Sequence, residues 1–222
     1  MLLAEKLGLV VLTTRTGRGD FELASVDVAC SGLLLIDLVL AGRVADDGDG
    51  LVVVKRKKLA APLLNEALTA LSAKNQQSTR RQLAAVGRRL GGRSEQTSRA
   101  VFDQLVEDGY AERQGRRLSP TAYEPHQDSR EAVIDEIQSA ALDEHPPADG
   151  AVLLSLLEPL RLLKAVFPIK VERKAAKHRG RDVLNNLPVD DEVATAIGRV
   201  RAEVLETIQT RREAAGQAPG VR

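Results

Sequence analysis

Tryptophan is absent from this chain and Phe plus Tyr make up only 2% of it, which excludes the rows of stacking aromatics that bind single-stranded nucleic acid. Cys30 is the one cysteine, so an internal disulfide and a cysteine-built zinc site are ruled out, a reducing compartment is expected, and a core position suits the thiol. His126, His145 and His178 lack the spacing that sets two imidazoles on one helix face, so no metal is expected, nor any other cofactor. There is no Gly-x-Ser-x-Gly elbow and no histidine close to Cys30 in sequence, and without a catalytic constellation the expectation is a protein that is not an enzyme. An excess of one charge is missing too. At a formal net charge of +1, attraction to membrane or nucleic acid must come from local patches. Long uncharged apolar runs are lacking as well: Asp37 and Glu158 interrupt the best two, and Glu5 interrupts the start of the N-terminal one. Neither a signal peptide nor a bilayer-crossing helix is therefore expected, and membrane contact would be peripheral.

Apolar residues, by contrast, make up 43% of the 222, enough for a substantial core packed from Leu, Val and Ala. Between Leu33 and Leu40 only Asp37 is polar, the pattern of a helix buried on most of its circumference. Ala41-Gly42 ends it, because glycine takes the left-handed conformation after a last helical turn without steric cost. Arg43 to Ala45, the turn Asp46-Asp47-Gly48-Asp49-Gly50 and the apolar Leu51 to Val54 then read as a hairpin.

Around this centre the spacing predicts a first helix over 2–12 followed by a polar turn over 13–20, and further helices over 60–71 and 76–90, the last ending at Gly91-Gly92. Ser94 is the expected N-cap of a helix running to Asp108, with Glu95 in its first turn. Gly109 stops that helix, and 110–113 with 116–119 form a second hairpin. Helix, glycine stop and hairpin thus occur twice, as either a weak internal repeat or a common supersecondary pattern. Asp128 and Glu131 have capping-box spacing and open a helix whose Val133, Ile134, Ile137 and Ala141 face the core. Pro159 kinks or divides the leucine-rich 152–166. A basic helix over 170–186 and an amphipathic one carrying Val193, Ile197, Val200, Val204 and Ile208 complete the chain. The fold class is mainly α, a compact bundle around a buried central helix with one or two small β-hairpins. Residues 1–213 form a single domain and 214–222 a disordered tail.

Gly87 to Ser94 fits a phosphate-loop pattern only if Arg93 replaces lysine, and an amphipathic helix precedes it where that loop needs a buried strand; it reads as an interhelical turn. Asp37 reads as a structural carboxylate bonded to an arginine or to backbone amides. The basic clusters are the best functional material. Lys55 to Lys58, Arg88-Arg89 with Arg93, Arg113 with Arg116 and Arg117, and the run Lys170, Arg173, Lys174, Lys177, Arg179 and Arg181 each offer cations to phosphate oxygens, provided the fold gathers them on one surface.

SGLLLIDLVLAGRV at 31–44, MLLAEKLGLVVL at the start, NEALTAL at 65–71, FDQLVEDGYAE at 102–112 and REAVIDEIQSAAL at 130–142 together resemble the Golgi phosphoprotein 3 family over residues 1–208. Richness in Ala, Leu, Arg and Val suggests a bacterial member. The resemblance implies a peripheral membrane protein that binds phosphatidylinositol 4-phosphate and self-associates through a hairpin, here 110–119. It also implies a headgroup pocket made by a tryptophan and an arginine at the entry to the central helix, aligned with Glu22 and Ser31, and by two arginines aligned with Glu95 and Ser98. None of the four matches, and Glu22 and Glu95 would repel a phosphate unless cations nearby override them. Arg93 and Arg99 flank the lost pair, and Arg43 keeps the family's Gly-Arg. The candidate headgroup contacts are thus Arg43, Arg88, Arg89, Arg93 and Arg99. The expected activity is binding of an anionic, phosphoinositide-like membrane lipid by a cytoplasmic protein. Two alternatives stand beside it: a ligand-free interaction scaffold, and a winged-helix-like nucleic-acid binder with 94–108 as recognition helix, which the acids Glu95, Asp103, Glu107 and Asp108 oppose, so no nucleic acid is expected.

Overall fold

The computed structural model describes residues 1–15, 22–72, 78–92, 96–114 and 122–217. At its centre lies α2, Leu23–Leu40, with fourteen of its eighteen residues buried. By length and composition this helix could cross a bilayer, but its neighbours already cover it. Five helices surround it: α1 (Leu3–Arg15), α3 (Pro62–Ser72), α4 (Thr79–Gly91), α5 (Thr97–Glu107) and the long α10 (Asp191–Gln217). A second group, α6 (Gln127–Leu142), α7 (Ala148–Leu157), the short α8 (Leu163–Val166) and α9 (Lys170–Asp182), packs onto the far side of α1. The leucine-rich segment is divided at Pro159, as its ring requires: α7 stops at Leu157, and the chain turns through Arg161 at φ 61 before α8.

Two antiparallel hairpins follow two of the helices. In the first, β1 (Val44–Asp46) pairs with β2 (Leu51–Val53), and in the second, β3 (Ala111–Gln114) pairs with β4 (Ala122–Pro125). Both helix stops have the same construction. Gly42 N–H donates to the Val39 carbonyl and Arg43 N–H to Leu38, while Gly109 N–H donates to Val106 and Tyr110 N–H to Leu105, with φ of 60 and 75 at the two glycines. These are paired Schellman closures, which need a residue free to enter the left-handed region. Buried Gln82 pins the first hairpin to α4 by exchanging amide hydrogen bonds with Leu51 N–H and C=O, and Arg199 pins its turn to α10 through Asp46 at 2.7 Å.

Several sequence boundaries move. In the second hairpin the strand that pairs with β3 is 122–125, while the expected return strand over 116–119 lies outside the described residues. Tyr123 anchors that strand, its ring tilted against Phe102 at 5.4 Å between centroids and its hydroxyl donated to Asp103. Ser94, Glu95 and Arg93 also lie outside the described residues; α5 begins at Thr97 with Gln96 in the capping position. His126, not Asp128, occupies the N-cap of α6, and Glu131 accepts from Gln127 within the helix, so no capping box forms. Finally, α1 continues to Arg15, and α10 runs on to Gln217, past the expected fraying point at Ala214.

The one charge in the heart of α2 is structural. Asp37 accepts the N–H of Leu3 at 3.1 and 3.2 Å and so caps α1 from outside its own sequence. Burial nevertheless outweighs those bonds, and with Asp149 and Glu5 nearby its pKa rises from an ordinary 3.8 to about 7. Between those values the folded chain holds a proton that the unfolded chain has released, so this contribution to stability is greatest in acid and is lost as pH rises through about 7. The unfolding free energy of the wild type minus that of Asp37→Asn should therefore fall from pH 5 to pH 8. A difference that is flat or climbs with pH would contradict the assignment.

Candidate functional site

Where α2 enters the core it shares a cavity with α4 and α10. The space is about 280 Å³ and is bounded by Asp27 and Ser31 of α2, Arg80 of α4, and Thr207, Thr210 and Arg211 of α10, over a floor that includes Leu83 and Gly87. Ser31 and Ser98, two positions where the resemblance implies arginine, meet beside it. Asp27 Oδ1 accepts both the backbone N–H of Ser98, at 2.9 Å, and its hydroxyl, at 2.6 Å. The Ser31 hydroxyl lies 2.9 Å from that of Thr97 and donates to the Asp27 carbonyl. A helix N-terminus attracts anions because its first N–H groups are unpaired and its dipole is positive there. At α5 the chain's own Asp27 fills that role.

Glu22, the third of the four, sits at the N-cap of α2 and receives hydrogen bonds from Ser25 and from Arg212, each at 3.1 Å. The Arg212 bond holds its carboxyl below the usual range. Its repulsion of an anion is thereby offset by a cation from α10. Glu95 is outside the described residues.

Of the five candidate arginines, the four among the described residues do not line this cavity. Arg43 follows the C-terminal end of α2, roughly 20 Å along the axis from Asp27 at 1.5 Å per residue; it is half-buried, with its Nε shut away and unpartnered. Arg89 pairs with Glu66 on the α3 side. Arg88 is exposed on the last turn of α4, one residue beyond the pocket-lining Gly87, and Arg99 is exposed next to Ser98. Arg93 cannot be placed, since it is outside the described residues. In their stead stand Arg80, whose partner is Glu206 at 3.7 Å, and Arg211, which donates to the Ala24 carbonyl at 3.3 Å. Arg80 could have been picked from the sequence as a cation on the polar face of its helix. Arg211 could not, because only the packing of α10 on α2 brings it within reach.

The other charge clusters are mostly engaged elsewhere. Arg113 pairs with Asp103 and lies 5.6 Å over the Tyr123 ring, while Arg173 and Arg179 close backbone carbonyls at 167–168 and 143–144. Lys55 to Lys58 are exposed. No group of three His, Cys, Asp or Glu able to hold a metal occurs among the described residues, and burial pushes the Cys30 thiol up, away from reactivity.

Comparison with curated proteins gave no match. The family model described as Golgi phosphoprotein 3 (GPP34) matches residues 3–204. That span runs from the first turn of α1 to the middle of α10 and takes in both hairpins and the α2 and α4 walls of the cavity, stopping short of Thr207, Thr210 and Arg211, so the chain belongs to the Golgi phosphoprotein 3 family.

Proposed function

We propose that this chain is a peripheral membrane protein that takes an anionic, phosphoinositide-like headgroup into the cavity between α2, α4 and α10 from the cytoplasmic face of a membrane. The observation that carries the reading is the pairing of Arg80 and Arg211, from two different helices, around one concavity at the mouth of α2. Leu23 supports it: this large apolar side chain is 48% exposed at the same end of α2, where it can enter the outer layer of a bilayer while the arginines meet phosphate. The chemistry differs from a pocket of arginines alone, because the hydroxyl-bearing Ser31, Thr207 and Thr210 line the same space and suit a ligand that also offers hydroxyls. A phosphorylated polyol meets both demands.

The test is co-sedimentation with vesicles of phosphatidylcholine alone, or with added phosphatidylglycerol or phosphatidylinositol 4-phosphate, at low and physiological salt. Each cation near an anionic surface contributes about 1 kcal/mol, so reversing one should cost about twice that, or roughly thirtyfold in partitioning. Arg80→Glu and Arg211→Glu are each expected to reach that loss on phosphoinositide vesicles at physiological salt. Binding that vanishes with salt for every anionic vesicle would reduce the site to a basic face. No sedimentation with any vesicle would end the lipid reading. A winged-helix reading gains nothing from the geometry, since Arg113 of the second hairpin is turned back onto Asp103 and Tyr123.

A further inference from the structure

On the opposite side of α10 lies a second cavity, about 200 Å³, between α7, α9 and α10. Its charged groups are Arg201 from α10, Lys177 and Arg181 from α9, and Glu158 just beyond α7. Glu158 is the only acid among them and is already shared, 2.7 Å from Lys177 and 4.0 Å from Arg181. Arg201 has no carboxylate partner among the described residues. Its Nε is closed to solvent with no acceptor, and its one hydrogen bond among the described residues is a long one, 3.4 Å from Nη2 to the Ser155 carbonyl. Burial lowers its pKa, the mark of a charge that has lost water and gained little in exchange. The Ser155 hydroxyl does not help, being donated to the Val152 carbonyl.

A guanidinium nitrogen closed to solvent is ordinarily paired, and the unsatisfied Nε of partly buried Arg201 invites the question of what pairs it. Gly180 sharpens the point. A Cβ there would lie 3.0 Å from the Leu154 carbonyl, so glycine lets α9 approach α7 closely enough to set Lys177 and Arg181 at the rim above Arg201. Three cations thus converge on a small space with one carboxylate between them.

We propose that this cavity is a second anion site, taking a phosphate group with Arg201 inside and Arg181 and Lys177 at the rim. A phosphate offers several strong acceptors to groups that are nearly all donors, and guanidinium matches it in two-pronged fashion. The cavity is too small for a drug-sized ligand, so the phosphate arrives free, on a small polyol, or at the end of a lipid headgroup.

The experiment is calorimetric titration of the full chain with inorganic phosphate against sodium chloride at equal ionic strength, together with sedimentation on phosphatidylcholine vesicles with and without phosphatidic acid. Phosphate is expected to bind where chloride does not. Arg201→Gln and the exposed-rim variant Arg181→Ser should each weaken it about tenfold, and Lys57→Ser, at an exposed residue that lines neither cavity, should leave it unchanged. Because Arg181 is exposed, its variant keeps the test decisive even if Arg201→Gln unfolds. A response confined to phosphatidic acid vesicles and lost with Arg181→Ser would assign the phosphate to a lipid. The proposal is overturned if neither phosphate nor phosphatidic acid is preferred over its control, if Lys57→Ser abolishes the binding, or if Arg181→Ser leaves it intact.

Discussion

Gly32→Val should destabilise the protein by about 3 kcal/mol or more, and Gly32→Ala by about 1–2 kcal/mol, although alanine is the better helix former by about 1 kcal/mol. Gly32 sits mid-way along α2, and a Cβ placed there would stand 2.2 Å from Cγ2 of Val204 on α10. Val204 is itself 1% exposed, and a β-branched side chain in a helix has one strongly preferred rotamer, so it has nowhere to turn. The helices must separate. Chemical denaturation of Gly32→Ala, Val204→Ala and the double variant would measure this directly: removing Cγ2 should make alanine at 32 far better tolerated, giving a coupling energy of about 1–2 kcal/mol. Gly198, also on α10, has nothing within 4 Å of the corresponding position, so Gly198→Ala should stabilise by about 0.5–1 kcal/mol. Additive single effects at 32 and 204 would show that the two helices do not meet there as described.

The second large loss is expected from Asp27→Ala. That carboxylate caps α5 from another helix, and its removal strands both the N–H and the hydroxyl of Ser98, a residue only 5% exposed. A lost cap costs about 1 kcal/mol and a buried donor left without an acceptor another 1–3, for a total of about 2–4 kcal/mol. Asp27→Asn keeps an acceptor and should lose less than half of that. If the two variants unfold at the same denaturant concentration as the wild type, Asp27 is not the cap of α5.

Much of the architecture was legible because apolar periodicity and glycine stops are local signals. The central helix, the two Schellman glycines, the division at Pro159 and the core face of the last helix could all be read from spacing alone. The family resemblance was legible in the same way, as an order of segments. Hairpin registry was not, since the pairing of β3 with 122–125 depends on where Tyr123 finds Phe102 and Asp103. Nor was the composition of the pocket. Asp27 looks like any polar residue in the first turns of a helix until Ser98 is brought to it, and Arg211 lies roughly 180 positions from the residues it faces. Sequence offers Arg99 by nearness to an aligned position, Arg43 by the Gly-Arg after the central helix and Arg88-Arg89 as a basic cluster, whereas walls formed by three helices from distant parts of a chain bring Arg80 and Arg211 together only in the fold. Asp37 was read correctly as structural, because a lone carboxylate in an apolar helix must find hydrogen-bond donors.

The seating of Val204 against Gly32 also sets a timetable for the nascent chain. The two residues are about 170 positions apart, which at roughly 5–20 residues per second means that α2 leaves the ribosome some 10–30 s before the helix that covers it. During that interval the face of α2 that α10 will cover is left open, on a segment with the length and composition of a membrane span. Chaperones and the targeting machinery therefore have their longest opportunity at α2, and slower translation through α10 should increase the fraction of chains that aggregate or are misdirected.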